Sequence, residues 1–264
     1  NVLEAIGMLV ASKCDELTTE KLFNRGIRVT KPSLTFNSFL NKKLKKTTTV
    51  ELIDDSDSSI KSTFKNERPD DIYSKWVDSE TIKLQEEILK HTLRNFKGNK
   101  ELPSDELEGF KDFFRNKMIS SMTGNILKEI FGDEIINYVI YNLNSNALRG
   151  ISSESKREYL GIFGEGLDVL LSTFSEEQMH ELMSYNFISW LEDVKLDGTD
   201  FLKYKGHKLG RSSSNLYFTD KFMKKDNELF SAENANEGAL HILFYLALYI
   251  NEKAPDFFAI DNIE

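Results

Sequence analysis

Asp261 closes a short apolar run, Phe257-Phe258-Ala259-Ile260. An unbroken apolar run suits a strand buried on both faces, as in a parallel sheet. An acid at the carboxyl end of such a strand stands where open α/β sheets hold their ligands, and an ionised carboxylate there can hold a divalent cation. Upstream lies a small, polar segment, Ser231 to Gly238, directly before an apolar stretch. Ser231, Glu237 and Gly238 would then stand at the opening of a helix, where backbone N–H groups and the helix dipole favour phosphate. Arg149 lies between a strand end and Gly150. Its guanidinium could reach a phosphate or a carboxylate, or make an ordinary surface ion pair. Other chemistries find little support. His91, His180, His207 and His241 are scattered and give no zinc spacing. The single Cys14 allows no internal disulfide framework and fits a reducing cytoplasm. Gly161, Gly164 and Gly166 do not fit a dinucleotide-binding glycine pattern.

These residues need elements to position them. Ala239 to Ile250 is apolar nearly all round and reads as a helix packed on several sides, stopped by Pro255. Residues 1–12 carry apolar residues at helical spacing without a capping residue before them. Thr47 to Ile53 and Ile60 to Asn66 flank an acidic turn and read as an antiparallel hairpin. Ser79 to Phe96 reads as an amphipathic helix capped by Ser79, with further helices from Ser104 and over Ile126 to Phe131. Tyr138 to Tyr141 reads as a short buried strand and Leu216 to Thr219 as a strand ending at Asp220, and Ser175 caps a helix running from Glu176 to Trp190. Val194 to Lys208 is mixed and polar.

The order of the last parts resembles the second half of an ABC-type ATPase head, of the SMC, RecF and OLD-like families. PtuA-like ATPases of bacterial antiphage systems are the nearest in pattern, on SAENANEG, the apolar helix and FFAIDNIE. Asn1-Val2-Leu3-Glu4-Ala5 resembles the continuation of the phosphate loop in the same families. The resemblance implies a P-loop NTPase fold of α/β class, with an antiparallel hairpin region and a helical lobe over residues 78–135. It also implies a chain spanning residues 1–264 of a longer head, the phosphate loop lying upstream. It implies ATP and Mg²⁺ as cofactors, with Asp261 on the metal through its Walker B position. Asn1, Arg149, Ser231, Glu237 and Gly238 would contact nucleotide. The implied assembly is a second ATPase head, with ATP buried between the two, together with a nuclease subunit and DNA. One departure stands out: Asn262 occupies the position where such heads carry a catalytic Glu. An amide can orient water but cannot take its proton, so slow hydrolysis follows, with Glu264 as a substitute group. The contrasting expectation is a non-catalytic interaction scaffold on an ABC-like fold.

The charge balance, 34 basic against 43 acidic residues, gives a net −9 and argues against a uniformly basic nucleic-acid surface. Lys42-Lys43-Leu44-Lys45-Lys46 is the one basic cluster and reads as a solvated turn. No apolar run reaches membrane-spanning length, so the expected setting is the cytoplasm.

Overall fold

The computed structural model describes residues 2–35, 46–96, 119–151, 160–205 and 212–261. It divides into two compact units, Asn1–Ile140 with Asp256–Ala259, and Tyr141–Pro255 with Ile260–Glu264. The fold is mixed α/β, with small antiparallel sheets and one parallel pair. Among the described residues no helix is long and apolar enough to cross a membrane.

The first unit is built on α1 (Val2–Lys13). Leu9, Val10 and Ala11 are wholly enclosed, and the cluster around them takes in Leu22, Ile27, Ile60, Leu127, Tyr138 and Ile140. Leu22 comes from α2 (Thr19–Asn24) and Leu127 from α4 (Ile119–Phe131); between them in the chain runs α3 (Ser79–Phe96). An antiparallel sheet supplies another wall: β1 (Thr47–Ile53), β2 (Ser59–Asn66) and β3 (Trp76–Asp78), in the order β1-β2-β3. Its hairpin turn is made by Asp54, whose carboxylate accepts from the amides of Ser56 and Ser58 at 2.9 and 2.7 Å. That is the local bonding which makes Asp a turn residue.

Two further strands, β4 (Val139–Tyr141) and β8 (Phe258–Ile260), pair with each other. Tyr138 meets Phe257 at one end, ring centroids 5.1 Å apart. At the other end the Asp261 amide donates to Tyr141 O at 2.7 Å, so the strands run parallel. Ala259 packs against the α1 cluster, so α1 and this residue of β8 share a core.

The second unit carries α5 (Ser145–Leu148), α6 (Leu167–Leu171) and α7 (Glu176–Ser184). A second antiparallel sheet follows, β5 (Leu191–Leu196), β6 (Leu216–Asp220) and β7 (Leu229–Ser231), in that order. The chain then enters α8 (Glu237–Ile250), seven of whose residues are buried, from Ala239 to Ile250. Phe244 of α8 meets Tyr141 edge-on at 5.4 Å.

Several expectations are corrected. The helix expected to reach Trp190 ends at Ser184, because Asn186 adopts φ 49°, a left-handed conformation that no helix continues through. The cap of α3 is Asp78: its carboxylate accepts from the Glu80 amide at 3.1 Å, whereas the Ser79 hydroxyl donates to Thr63 O. The helix expected over Ile126 to Phe131 begins earlier, at Ile119. The helix expected from Ser104 lies outside the described residues.

Lys13 and Asp78 are each only 4% exposed and form an ion pair of 2.8 Å. Burial by itself pushes the Asp78 carboxyl up. The Lys13 hydrogen bond and charge, the Thr81 hydroxyl and the Thr63 amide outweigh burial and hold it below the ordinary carboxylate value. The folded value is therefore lower than the unfolded one, so the stability it contributes is present above about pH 4 and is lost as pH falls further. In acid unfolding followed by circular dichroism, Asp78→Asn should start less stable and lose less stability between about pH 4 and pH 2 than the wild type.

Gly26 sits where only a residue without a side chain fits. It has φ +77°, and a Cβ there would fall on the carbonyl oxygen of Ile140. The strand cannot retreat, because the Ile140 amide donates to Arg25 O at 2.9 Å and the Arg25 guanidinium holds Ile136 O and Tyr138 O. Gly26→Ala is expected to cost about 2–3 kcal/mol in urea denaturation, from the left-handed backbone and the clash together.

Candidate functional site

Asp261 follows β8 directly and is half-buried. Its amide is fixed on Tyr141 O. Among the described residues its carboxylate makes no hydrogen bond or ion pair, in contrast to Asp54, Asp78 and Asp168, whose oxygens are taken by backbone amides. A carboxylate at the carboxyl end of a parallel strand, with a fixed backbone and free oxygens, can accept from the water shell of a cation. Among the described residues no group of three or more His, Cys, Asp or Glu side chains gathers to bind a metal directly.

The segment before α8 differs from the expectation. Ser231 does not stand at the helix mouth. It is the last residue of β7, paired with Tyr217 of β6, and it is wholly enclosed. Among the described residues its hydroxyl has no hydrogen-bond partner. A 3-10 turn, Ala232–Asn234, intervenes before the helix. The cap is Asn236, whose side chain accepts from the Ala239 amide. Asn236, Glu237 and Gly238 are exposed, so the mouth of α8 opens to solvent through these three residues. The sequence signal for this was present: Asn is as good a cap as Ser, and Asn236 lies one residue before the helical run.

Arg149 caps the end of α5 and donates from Nη2 to Ala235 O at 3.1 Å. It therefore props the residue just before the α8 cap, and among the described residues it joins no ion pair. Its Nε is buried without a partner among the described residues. Beside it, the Ser212 hydroxyl donates to Arg149 O, and Glu233 accepts from the amides of Tyr204 and Ser212. Sequence reasoning gave Glu233 no part; its role is to tie two loop amides to the turn before α8. No hydrogen bond or ion pair among the described residues joins Asp261 to Arg149 or to the mouth of α8. Asn1, Asn262 and Glu264 lie outside the described residues.

A cleft of about 190 Å³ lies elsewhere in the second unit, lined by Asp168, Ser172, Asp197 and Asn215 among others. Both its carboxylates are engaged, Asp168 by the Asn215 amide at 2.7 Å and Asp197 by the Thr199 amide at 2.8 Å. It contains none of the residues the sequence singles out.

Comparison with models of protein families, with curated proteins and with solved structures gave no match.

Since the Ser231 hydroxyl makes no bond among the described residues, Ser231→Ala should leave stability unchanged or raise it by up to about 1 kcal/mol, because a buried unsatisfied group is removed. Thermal unfolding measures this; a clear loss of stability would mean the hydroxyl has a partner.

Proposed function

We propose that this chain is an ATP-binding head of ABC type that pairs with a second head around ATP–Mg²⁺. Asp261 carries the reading: it is a half-buried carboxylate, unengaged among the described residues, at the end of a strand whose backbone is fixed on its parallel neighbour. Mg²⁺ keeps most of its waters and needs only one or two protein carboxylates beside the phosphates, so a single Asp fits. Bound Mg²⁺ would supply charge neutralisation at the phosphates.

The mouth of α8 supports the second half of the proposal. The amides of Glu237 and Gly238 belong to the first turn, whose donors a helix cannot satisfy by itself. They open to solvent, where a second head can present a phosphate. Arg149 supports that mouth from behind through Ala235 O. Ser231, being enclosed, belongs to the scaffold of the segment rather than to its outer face. Asn1 keeps its place next to the phosphate loop by sequence pattern. So do Asn262, as the residue that orients the attacking water, and Glu264, as the alternative base. Slow turnover, a nuclease partner, DNA and a cytoplasmic setting in bacterial defence or DNA maintenance complete the reading.

The test is calorimetric titration of the complete protein with ATP, with and without Mg²⁺. Asp261→Ala should abolish the Mg²⁺-dependent part of the affinity while shifting stability by no more than about 0.5 kcal/mol, as expected for an unpaired side chain outside the core. Unchanged Mg²⁺-dependent binding would remove Asp261 from the metal site. Absence of ATP binding in the wild type would leave the non-catalytic scaffold.

A further inference from the structure

Lys13 is the last residue of α1 and is 4% exposed. Its ammonium donates to Asp78 Oδ2 at 2.8 Å, to Lys61 O at 3.0 Å and to Thr81 Oγ1 at 3.2 Å, one acceptor for each proton. Its carbonyl accepts from the Thr123 hydroxyl at 2.8 Å. Asp78 is filled in the same way. Oδ2 takes Lys13, the Ser62 hydroxyl at 2.9 Å and the Thr81 hydroxyl at 2.7 Å. Oδ1 takes the amides of Thr63 and Glu80 at 2.9 and 3.1 Å. Ser12, on α1, has one proton to share between Leu9 O at 2.7 Å and the Ser62 hydroxyl at 2.9 Å.

The consequence is geometric. Asp78 is at once the cap of α3 and the counter-ion of the end of α1. Past this junction the side chains of α3 from Thr81 to Ile88 are exposed or half-exposed, and Ile82 is 40% exposed. The base of α3 is thus tied through Asp78 and Thr81 to Lys13 at the end of α1, and through Asp78 and Ser79 to Ser62 and Thr63 of β2. Charge-assisted bonds are directional and stronger than neutral ones, so the two helix ends are held at a fixed mutual angle rather than merely in apolar contact.

We propose that the Lys13–Asp78 junction is a mechanical coupling, which makes the end of α1 and the base of α3 open and move as one body. Its use as a relay, passing nucleotide state along α1 to α3, rests on the ATP-binding proposal.

Native-state hydrogen exchange tests the coupling without nucleotide. In the wild type, amides in the last turn of α1 and the first turns of α3 should share one opening equilibrium. Lys13→Met with Asp78→Asn removes both charges but keeps side-chain length and the α3 cap. It should raise exchange at the base of α3 by about tenfold to a hundredfold relative to the end of α1. Should that pair fold poorly, Thr81→Val removes one shared hydroxyl and should uncouple the two partially, in the same direction. Different opening equilibria in the wild type, or equal ones in the variants, would overturn the proposal. Adding ATP–Mg²⁺ to the complete protein then addresses the relay: protection should spread from α1 to α3 in the wild type and stop at α1 in the double variant. An equal α3 response in both would refute the relay. A wild type that binds no ATP by calorimetry refutes the ATP proposal instead, and the exchange measured without nucleotide still decides whether the coupling exists.

Discussion

An ammonium group withdrawn from water must be given acceptors for all three of its protons, and the first unit is arranged around doing so for Lys13. A β2 carbonyl, the residue that ends β3 and a hydroxyl on the first turn of α3 converge on it. Withdrawing both charges from water costs several kcal/mol before any partner is counted, so an apolar pair of similar volume would hold the elements together at least as firmly. What the ion pair adds is direction. Apolar contact tolerates sliding and rotation, whereas a filled set of hydrogen bonds admits one arrangement. The apolar cluster of Leu9, Val10 and Ala11 supplies adhesion next door, and the polar junction sets the angles.

Asp261 is the converse. Its backbone is as constrained as that of Asp78, through the amide held on Tyr141 O, yet its carboxylate is left without partners among the described residues. The two acids show how one residue type is made structural or available. Asp78 is surrounded by donors, two of them backbone amides. Asp261 stands one residue past the end of its strand. The mouth of α8 shows the same division along a few residues, with Ser231 enclosed in the sheet and Asn236 to Gly238 turned outward.

Much of the frame is legible in the residues. The hairpin is found at Thr47–Ile53 and Ser59–Asn66, because β-branched residues and an Asp-rich turn leave little else to form. The apolar helix appears as Glu237–Ile250 and the run before Asp261 as Phe258–Ile260. What escaped has physical reasons. β5, Leu-Glu-Asp-Val-Lys-Leu, is an edge strand with one buried side chain, so its charges hide it. β7 is three residues long, too short for any period, and pairing across to Tyr217 rather than local propensity buries Ser231. The end of α7 turns on a single left-handed Asn, and Asp78 outcompetes Ser79 as a cap because only a carboxylate can also answer Lys13. For the site, the position of Asp261 was legible from its strand; which residue faces outward at α8 was not, since it depends on where β7 stops.

β8 carries a consequence for how the protein is made. Phe257 and Ala259 belong to a unit whose other residues are the first hundred and forty of the chain. A ribosome delivers the α1 core and β4 early, then must translate the whole second unit before the strand that pairs with β4 arrives. Throughout that interval the edge of β4 is open and the Tyr138 ring lacks Phe257, the kind of unpaired edge and uncovered apolar surface on which nascent chains aggregate. Completion of the first unit therefore waits on Asp256–Ala259, and the second unit has to fold in the presence of an unfinished first one.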